Sequence, residues 1–282
     1  MFARVPASSA NLGPGFDTLA VALSLYVEVN LDFADSLSIV SDGCGAGQFD
    51  DERHLGVQVA KNVLGHTNFS MSVTSSIPLS RGLGSSAALA VAAAAAAGAK
   101  SPLEVGATVD GHAENAAASV LGGLVVASVS ERDGVIARQL PLDDAWRFVV
   151  VVPDEELATV DARRVLPSEV PFVDAVHNLN AMGLLIAGLA NHNEMVASAM
   201  DDFLHQPYRN ELLSFAMPLL ALLRESGAAA SCWSGAGSAM LGLVTNETAD
   251  EVARAAKEFL HERSLPGEVH VLDVDRAGLV TR

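Results

Sequence analysis

Between residues 78 and 88 the chain reads Pro78-Leu79-Ser80-Arg81-Gly82-Leu83-Gly84-Ser85-Ser86-Ala87-Ala88. A β-prone run at 69–74 precedes it and a nearly all-alanine run at 89–98 follows. A strand is therefore expected to enter a glycine loop that opens a helix. Gly82 and Gly84 let backbone turn tightly and approach a ligand with no Cβ in the way. Ser85 or Ser86 is expected to cap the helix, whose first amides have no partner of their own. Free N–H groups at the positive end of a helix suit an anion, phosphate above all. Arg81 adds a formal positive charge. No lysine follows the last glycine, so the pattern is not a Walker A loop.

Four further groups of residues could do chemistry. Asn11-Leu12-Gly13-Pro14-Gly15-Phe16-Asp17 is a dense turn with two polar side chains. Asp110-Gly111-His112-Ala113-Glu114-Asn115 places an acid at an expected helix end, where ordinary solvation would also explain it. Thr159 and Arg163 stand four residues apart, and Arg209 follows His205-Gln206-Pro207-Tyr208. Arginine presents a planar fork suited to a carboxylate, although a surface ion pair would equally account for Arg209. Last, Ser234-Gly235-Ala236-Gly237-Ser238 joins two strand-like runs and could be a hairpin turn or a second ligand loop.

The elements that must position these groups are mixed. Strands are expected at 25–33, 124–129, 135–140, 148–152 and 269–274, and helices at 50–64, 172–190, 193–204 and 247–263. Ser101-Pro102-Leu103-Glu104 reads as a capping box with proline at the first helical position, and Gly111 suits the end of that helix. Glu104 is thereby explained without function. At 282 residues the chain can hold two modest domains. The apolar run at 148–152 is a plausible start of the second, dividing the chain into 1–145 and 146–282.

Composition narrows the functions. A net charge of −17 argues against nucleic acid, and requires any nucleotide site to be locally positive or to use a divalent cation. No membrane span is expected, and no leader precedes Met1-Phe2-Ala3-Arg4, so the expected location is cytoplasmic. Cys44 and Cys232 make no metal or disulfide spacing and are expected to be free thiols.

In order along the chain, these motifs resemble those of the GHMP kinases, and within them the homoserine kinases. Ala10 to Asp17 resembles their first motif, 78–88 their phosphate loop, 110–123 their Glu-Gly-His-Pro-Asp-Asn…Gly-Gly, and 234–238 their third motif. The resemblance implies a two-domain α+β fold: an N-terminal domain with a left-handed βαβ unit and a ferredoxin-like C-terminal domain. It implies transfer of a phosphoryl group from ATP to the hydroxyl of L-homoserine, for threonine synthesis. Pro78 through Ala88 would hold ATP, and Ser86 with Asp110 would hold Mg²⁺. Asn11, Asp17, His112, Arg209 and Gly235 would bind substrate, Asp17 taking its ammonium and Arg209 its carboxylate. Asn115, Thr159 and Arg163 would serve the reaction, with Asn115 orienting the hydroxyl and Glu114 not acting as base. The chain departs from the family at His54, Asp110, Ala113, Glu114 and Ser238. Another small-alcohol kinase, or a silent nucleotide-binding sensor, remains the alternative. Homoserine and ATP are the expected partners, without nucleic acid or membrane, and a homodimer is left open.

Overall fold

Strand β1 (Phe2–Ala10) pairs antiparallel with the long β2 (Leu19–Phe33) in the computed structural model, which describes all 282 residues. The register of that pair shifts between Pro6 and Ala7, where proline offers no N–H to the ladder. β3 (Ser38–Gly43), α1 (Leu55–Leu64) and β4 (Phe69–Ser75) form a βαβ unit whose strands run parallel. β4 alternates as its sequence dictates, with Phe69, Met71 and Val73 buried.

Helix α2 (Ser85–Ala96) leaves the glycine loop and is apolar all round, which marks a helix buried on every side. It lies between β1 and β2 on one side and α1 and α3 (Pro102–Asp110) on the other. Alanine is small enough to let all of them approach. Its N-cap is Gly84, left-handed at φ 64° and without a side-chain cap; Ser85 and Ser86 are the first two helical residues instead of the cap. In α3, Ser101 accepts from the Glu104 amide at 3.4 Å and Gly111 closes the helix at φ 82°, as expected. α4 (Glu114–Leu121) follows at once. β5 (Leu124–Ser130) pairs with β2 and with β6 (Gly134–Leu140), in a sheet whose seventh strand comes from the C-terminal end of the chain.

The second sheet begins at β7 (Arg147–Pro153), followed by α5 (Thr159–Arg164), α6 (Phe172–Ala190) and α7 (Gln206–Arg209). Then come α8 (Ala216–Glu225), β8 (Ala230–Trp233), β9 (Met240–Val244), α9 (Ala249–Glu262) and β10 (Gly267–Leu272). With sheet order β10-β7-β9-β8, this is the ferredoxin-like β-α-β-β-α-β arrangement, with α5 to α7 inserted after the first strand. The continuous apolar run of β7 has a simple cause. Phe148, Val150 and Val152 face a core shared with the first sheet and α6, while Val149 and Val151 face α8 and α9. A strand covered on both faces has no polar side to alternate with.

Three expectations need correction. The helix expected at 193–204 is two short 3₁₀ turns, at His192–Glu194 and Ala197–Met200, because polar residues interrupt its apolar spacing. α6 is long and apolar enough to cross a membrane by length and composition, where no such segment was expected. It instead packs Asn178, Ala181, Leu185, Gly188 and Leu189 against the protein. The last ten residues also do not stay with the second sheet: Val274 bridges to Leu23, and β11 (Val280–Thr281) pairs with β1.

Candidate active site

Loop 11–17 carries the first of the converging groups, and its backbone is unusual. Asn11, Leu12, Gly13 and Asp17 all have positive φ (73°, 51°, 73° and 50°). For leucine such a conformation costs on the order of 1–3 kcal/mol and needs surroundings that impose it. Two observations supply them. Leu12 is fully buried. The Asn11 side chain is also used at both ends, Nδ2 donating to Gly235 O at 2.9 Å and Oδ1 accepting from the Asp17 amide at 3.0 Å. Asn11 thus clips its own loop to the glycine loop of the second sheet.

These loops enclose a polar cavity of about 160 Å³ between the two sheets. Its walls include Asn11, Asp17, Ser80, Gly82, Leu83, Gly84, Ser85, Ser86, Asp110, His112, Asn115, Thr159, Arg163, Arg209 and Gly235. Every substrate-binding, catalytic and metal-binding residue expected from the sequence lies on this one wall. The phosphate loop is present only in part. The methyl groups of Ala87 and Ala88 are fully buried, and Pro78 lies off the wall.

Arg81 is likewise turned away from the cavity. Its Nε donates to Pro153 O at 2.8 Å, and its Nη atoms to Leu79 O and Asp154 O, with Glu156 3.4 Å away. It ties the glycine loop to the end of β7 and is not on the cavity wall.

The two glycines are required by what surrounds them. A Cβ on Gly84 would lie 2.1 Å from Ser8 Oγ, and one on Gly82 2.0 Å from Ser234 O. Ser8 donates to Asn115 Oδ1 at 2.9 Å, while Asn115 Nδ2 donates to Asp110 Oδ2 at 3.0 Å. One proton on Nδ2 and one lone pair on Oδ1 remain for a ligand. Ser8 could not have been found from the sequence, since nothing marks a strand serine that supports an asparagine 107 positions away.

Opposite the glycine loop stand the charges. Arg163 Nη2 and Asp17 Oδ1 form an ion pair at 2.6 Å. Arg209 is 1% exposed yet has no carboxylate in contact. Its Nε donates to Ala162 O at 3.2 Å, and its Nη1 to Gly235 O at 2.9 Å and His205 Nδ1 at 3.1 Å. Burial lowers its pKa to about 10. Two of its five N–H groups, both on Nη2, are left for something in the cavity. A buried cation without a counter-ion is costly unless a ligand supplies the anion.

The acids on the other side differ in kind. Asp110 Oδ2 is taken by Asn115 and by His112 Nδ1 at 3.2 Å, leaving Oδ1 for a ligand. The Asp110 hydrogen bond holds the His112 pKa above its ordinary value. Glu114 is 2% exposed, its Oε2 has no partner, and burial raises its pKa. Ser86 is exposed, while Glu104, at the far end of α3, is also exposed and is not on the cavity wall. Asp110 and Ser86 are thus the hard oxygen donors that could hold a cation. No set of three acids, histidines or cysteines on the chain could do so alone.

A second, apolar cavity of about 260 Å³ adjoins the first and shares Ser80, Ser85 and Ser86 with it. Val27, Phe49, Leu55, Val73, Leu79 and Leu89 line it. His54 stands at its wall but is an N-cap, its Nδ1 accepting from the Gly56 amide at 3.1 Å. Cys44 also lines it; both cysteines are free thiols.

Known proteins resemble this chain over nearly its whole length. The family described as GHMP kinases N terminal domain matches residues 54–123, and GHMP kinases C terminal matches 180–262. The homoserine kinase of Desulfitobacterium hafniense is 36% identical over 290 aligned residues, covering 98% of this chain and 97% of its own. That of Corynebacterium kroppenstedtii is 39% identical, covering 93% and 92%. Among solved structures, a crystal structure of homoserine kinase from Cytophaga hutchinsonii superposes with a TM-score of 0.85 at 26% identity, covering 99% of this chain and 96% of that one.

Proposed function

The chain belongs to the homoserine kinases of the GHMP kinase family, and from this we propose that it phosphorylates the side-chain hydroxyl of L-homoserine with ATP. The observation that carries the reading is that Arg209 and Asp17, a cation and an anion, both line one cavity beside the glycine loop. A substrate with a carboxylate, an ammonium and a hydroxyl fits that pair. A sugar carries neither charge and mevalonate no ammonium. Arg163 Nη2 lies 2.6 Å from Asp17 Oδ1, so the acid that would take the ammonium is itself held in place by an arginine. Turnover of homoserine, measured by ADP release beside other small alcohols, tests the assignment. Preference for an uncharged alcohol, or no turnover at all, would overturn it.

In the reaction the homoserine oxygen bonds to the γ-phosphorus and the bond from that phosphorus to the leaving ADP oxygen breaks. Such a transfer needs alignment and charge neutralisation more than covalent help. The free amides at the start of α2 and the hydroxyls of Ser85 and Ser86 would hold phosphates at the positive helix end. The adjoining apolar cavity would take the adenosine. Arg209 and Asp17 fix the amino acid, Asn115 orients its hydroxyl, and Thr159 and Arg163 face the transferring group.

The donor set also fits Mg²⁺, a hard ion bound through one or two carboxylates and the phosphates of its nucleotide. Asp110 Oδ1 and Ser86 Oγ would be its protein ligands, and the ion would neutralise phosphate charge. A cytoplasmic location, where ATP is abundant and thiols stay reduced, agrees with this reading.

Two variants test the acids. Asp110→Asn should raise the Mg²⁺ concentration needed for half-maximal activity about tenfold or more. Glu104→Gln should leave it unchanged and cost about 0.5 kcal/mol of stability through the helix dipole. The reverse ranking, read from activity against Mg²⁺, would place the metal at the other end of α3.

Glu114 has a folded-state pKa raised by burial, so its contribution to stability is full below about pH 4 and is lost as pH rises through the raised value. Glu114→Gln should therefore raise the Tm more at pH 8 than at pH 4, with kcat kept within about tenfold. A fall in kcat beyond about a hundredfold would make Glu114 the proton acceptor.

A further inference from the structure

His205 is fully buried and belongs to none of the groups that would touch substrate, yet both of its ring nitrogens are committed. Nε2 lies 2.9 Å from Gly13 O and 3.2 Å from Asp202 Oδ2, two acceptors, so this nitrogen carries the proton. Nδ1 lies 3.1 Å from Arg209 Nη1, which can only donate, so Nδ1 is the acceptor. The Asp202 carboxylate is fixed in turn by the amides of Leu204 (2.8 Å) and Gln206 (2.7 Å). The ring is stacked on Phe16 at 5.0 Å between centroids, and the guanidinium carbons of Arg163 and Arg209 each lie 5.4 Å from the same Phe16 ring.

We propose that His205, as a neutral imidazole protonated on Nε2, is the positioning residue for Arg209, and sets which edge of that guanidinium faces the substrate carboxylate. The reason lies in the donor count. With Nη1 shared between His205 and Gly235 O, and Nε held by Ala162 O, only the Nη2 edge is free. Without the Nδ1 acceptor only Ala162 O and Gly235 O hold the guanidinium, and the freed Nη1 proton leaves its Nη2 edge less firmly aimed into the cavity. The same ring holds Gly13 O, so the substrate loop and the arginine from α7 are kept in register by one side chain. Burial lowers the His205 pKa, and with Asp202, Arg209 and Asp17 around it the ring remains neutral near pH 7. This inference rests on the reading that Arg209 takes the carboxylate.

The test separates the two nitrogens. Asparagine at this position offers an acceptor near the place of Nδ1, and glutamine offers a donor near that of Nε2. His205→Gln and His205→Ala should raise the homoserine KM about 10- to 100-fold with the ATP KM unchanged. Their preference for homoserine over 3-aminopropan-1-ol, which lacks the carboxylate, should fall by the same factor. His205→Asn should keep most of both. Equal effects of asparagine and glutamine, or parallel rises in both KM values, would overturn the proposal. Should the variants fail to fold, ¹⁵N spectra of the wild-type histidines decide it. His205 must show protonated Nε2 and bare Nδ1 near pH 7, and the opposite tautomer or an imidazolium overturns it. If Arg209→Ala itself leaves the homoserine KM unchanged, it is the carboxylate reading that fails.

Discussion

Arg209→Ala is expected to raise the KM for homoserine by about 30- to 1000-fold, the cost of roughly 2–4 kcal/mol for losing a charge-assisted bond to a buried carboxylate. The side chain is 1% exposed, meets no acid of the chain, and keeps its Nη2 edge free. Its removal should leave the ATP KM almost unchanged, because no part of it reaches the apolar cavity. Arg209→Lys should recover only part of the loss, since an ammonium keeps the charge but not the fork. For 3-aminopropan-1-ol, which has nothing to bind there, wild type and Arg209→Ala should differ little. Steady-state kinetics with both alcohols decides the matter. An equal loss for both would make Arg209 a structural residue.

Gly82→Ala should destroy both activity and much of the stability. The backbone there is left-handed at φ 73°, which costs alanine about 1–2 kcal/mol. Steric overlap costs more. The new Cβ would lie 2.0 Å from Ser234 O and 2.8 Å from Gly237 N, both backbone atoms that cannot swing aside. The loops would have to part, breaking the Ser234 hydroxyl's bond to Gly82 O at 2.8 Å and opening the cavity between the sheets. Together these effects should cost about 3 kcal/mol or more, a fall in Tm of roughly 6–12 °C for a chain of this size. ATP binding should be lost as well. Gly47→Ala is the control, because that glycine has the same φ of 73° with nothing within 4 Å of the added carbon. It should lose about 1 kcal/mol and no activity. If the two variants melt alike, close approach of the two loops is not what requires Gly82.

Much of the cavity wall was legible through the family resemblance, which rests on particular residues at short spacing. The glycine loop, Asn11 with Asp17, Asp110 with Asn115, Thr159 with Arg163, and Gly235 each form a local pattern that a turn or a helix end explains on its own. Strands such as β4 and helices such as α6 were legible for a similar reason, since periodicity reports which face is covered. The sequence also determined Glu104 as a helix-start residue, because capping is an interaction over three positions.

What only the tertiary structure decided are the relations between distant residues. Arg81 has the charge and the place of a phosphate ligand, but Pro153 O and Asp154 O, more than 70 residues on, take its donors. Arg209 reads equally as a surface ion pair until α7 buries it against Gly235 and Ala162. Asp202 and Arg209 stand within four positions of His205, but what makes it a link between two loops is Gly13 O, 192 positions earlier. Local spacing fixes which backbone groups lack partners and which side chains share a face. Whether a charge then meets a ligand, a carbonyl or water depends on what the rest of the chain brings beside it, and burial sets the energy of that choice.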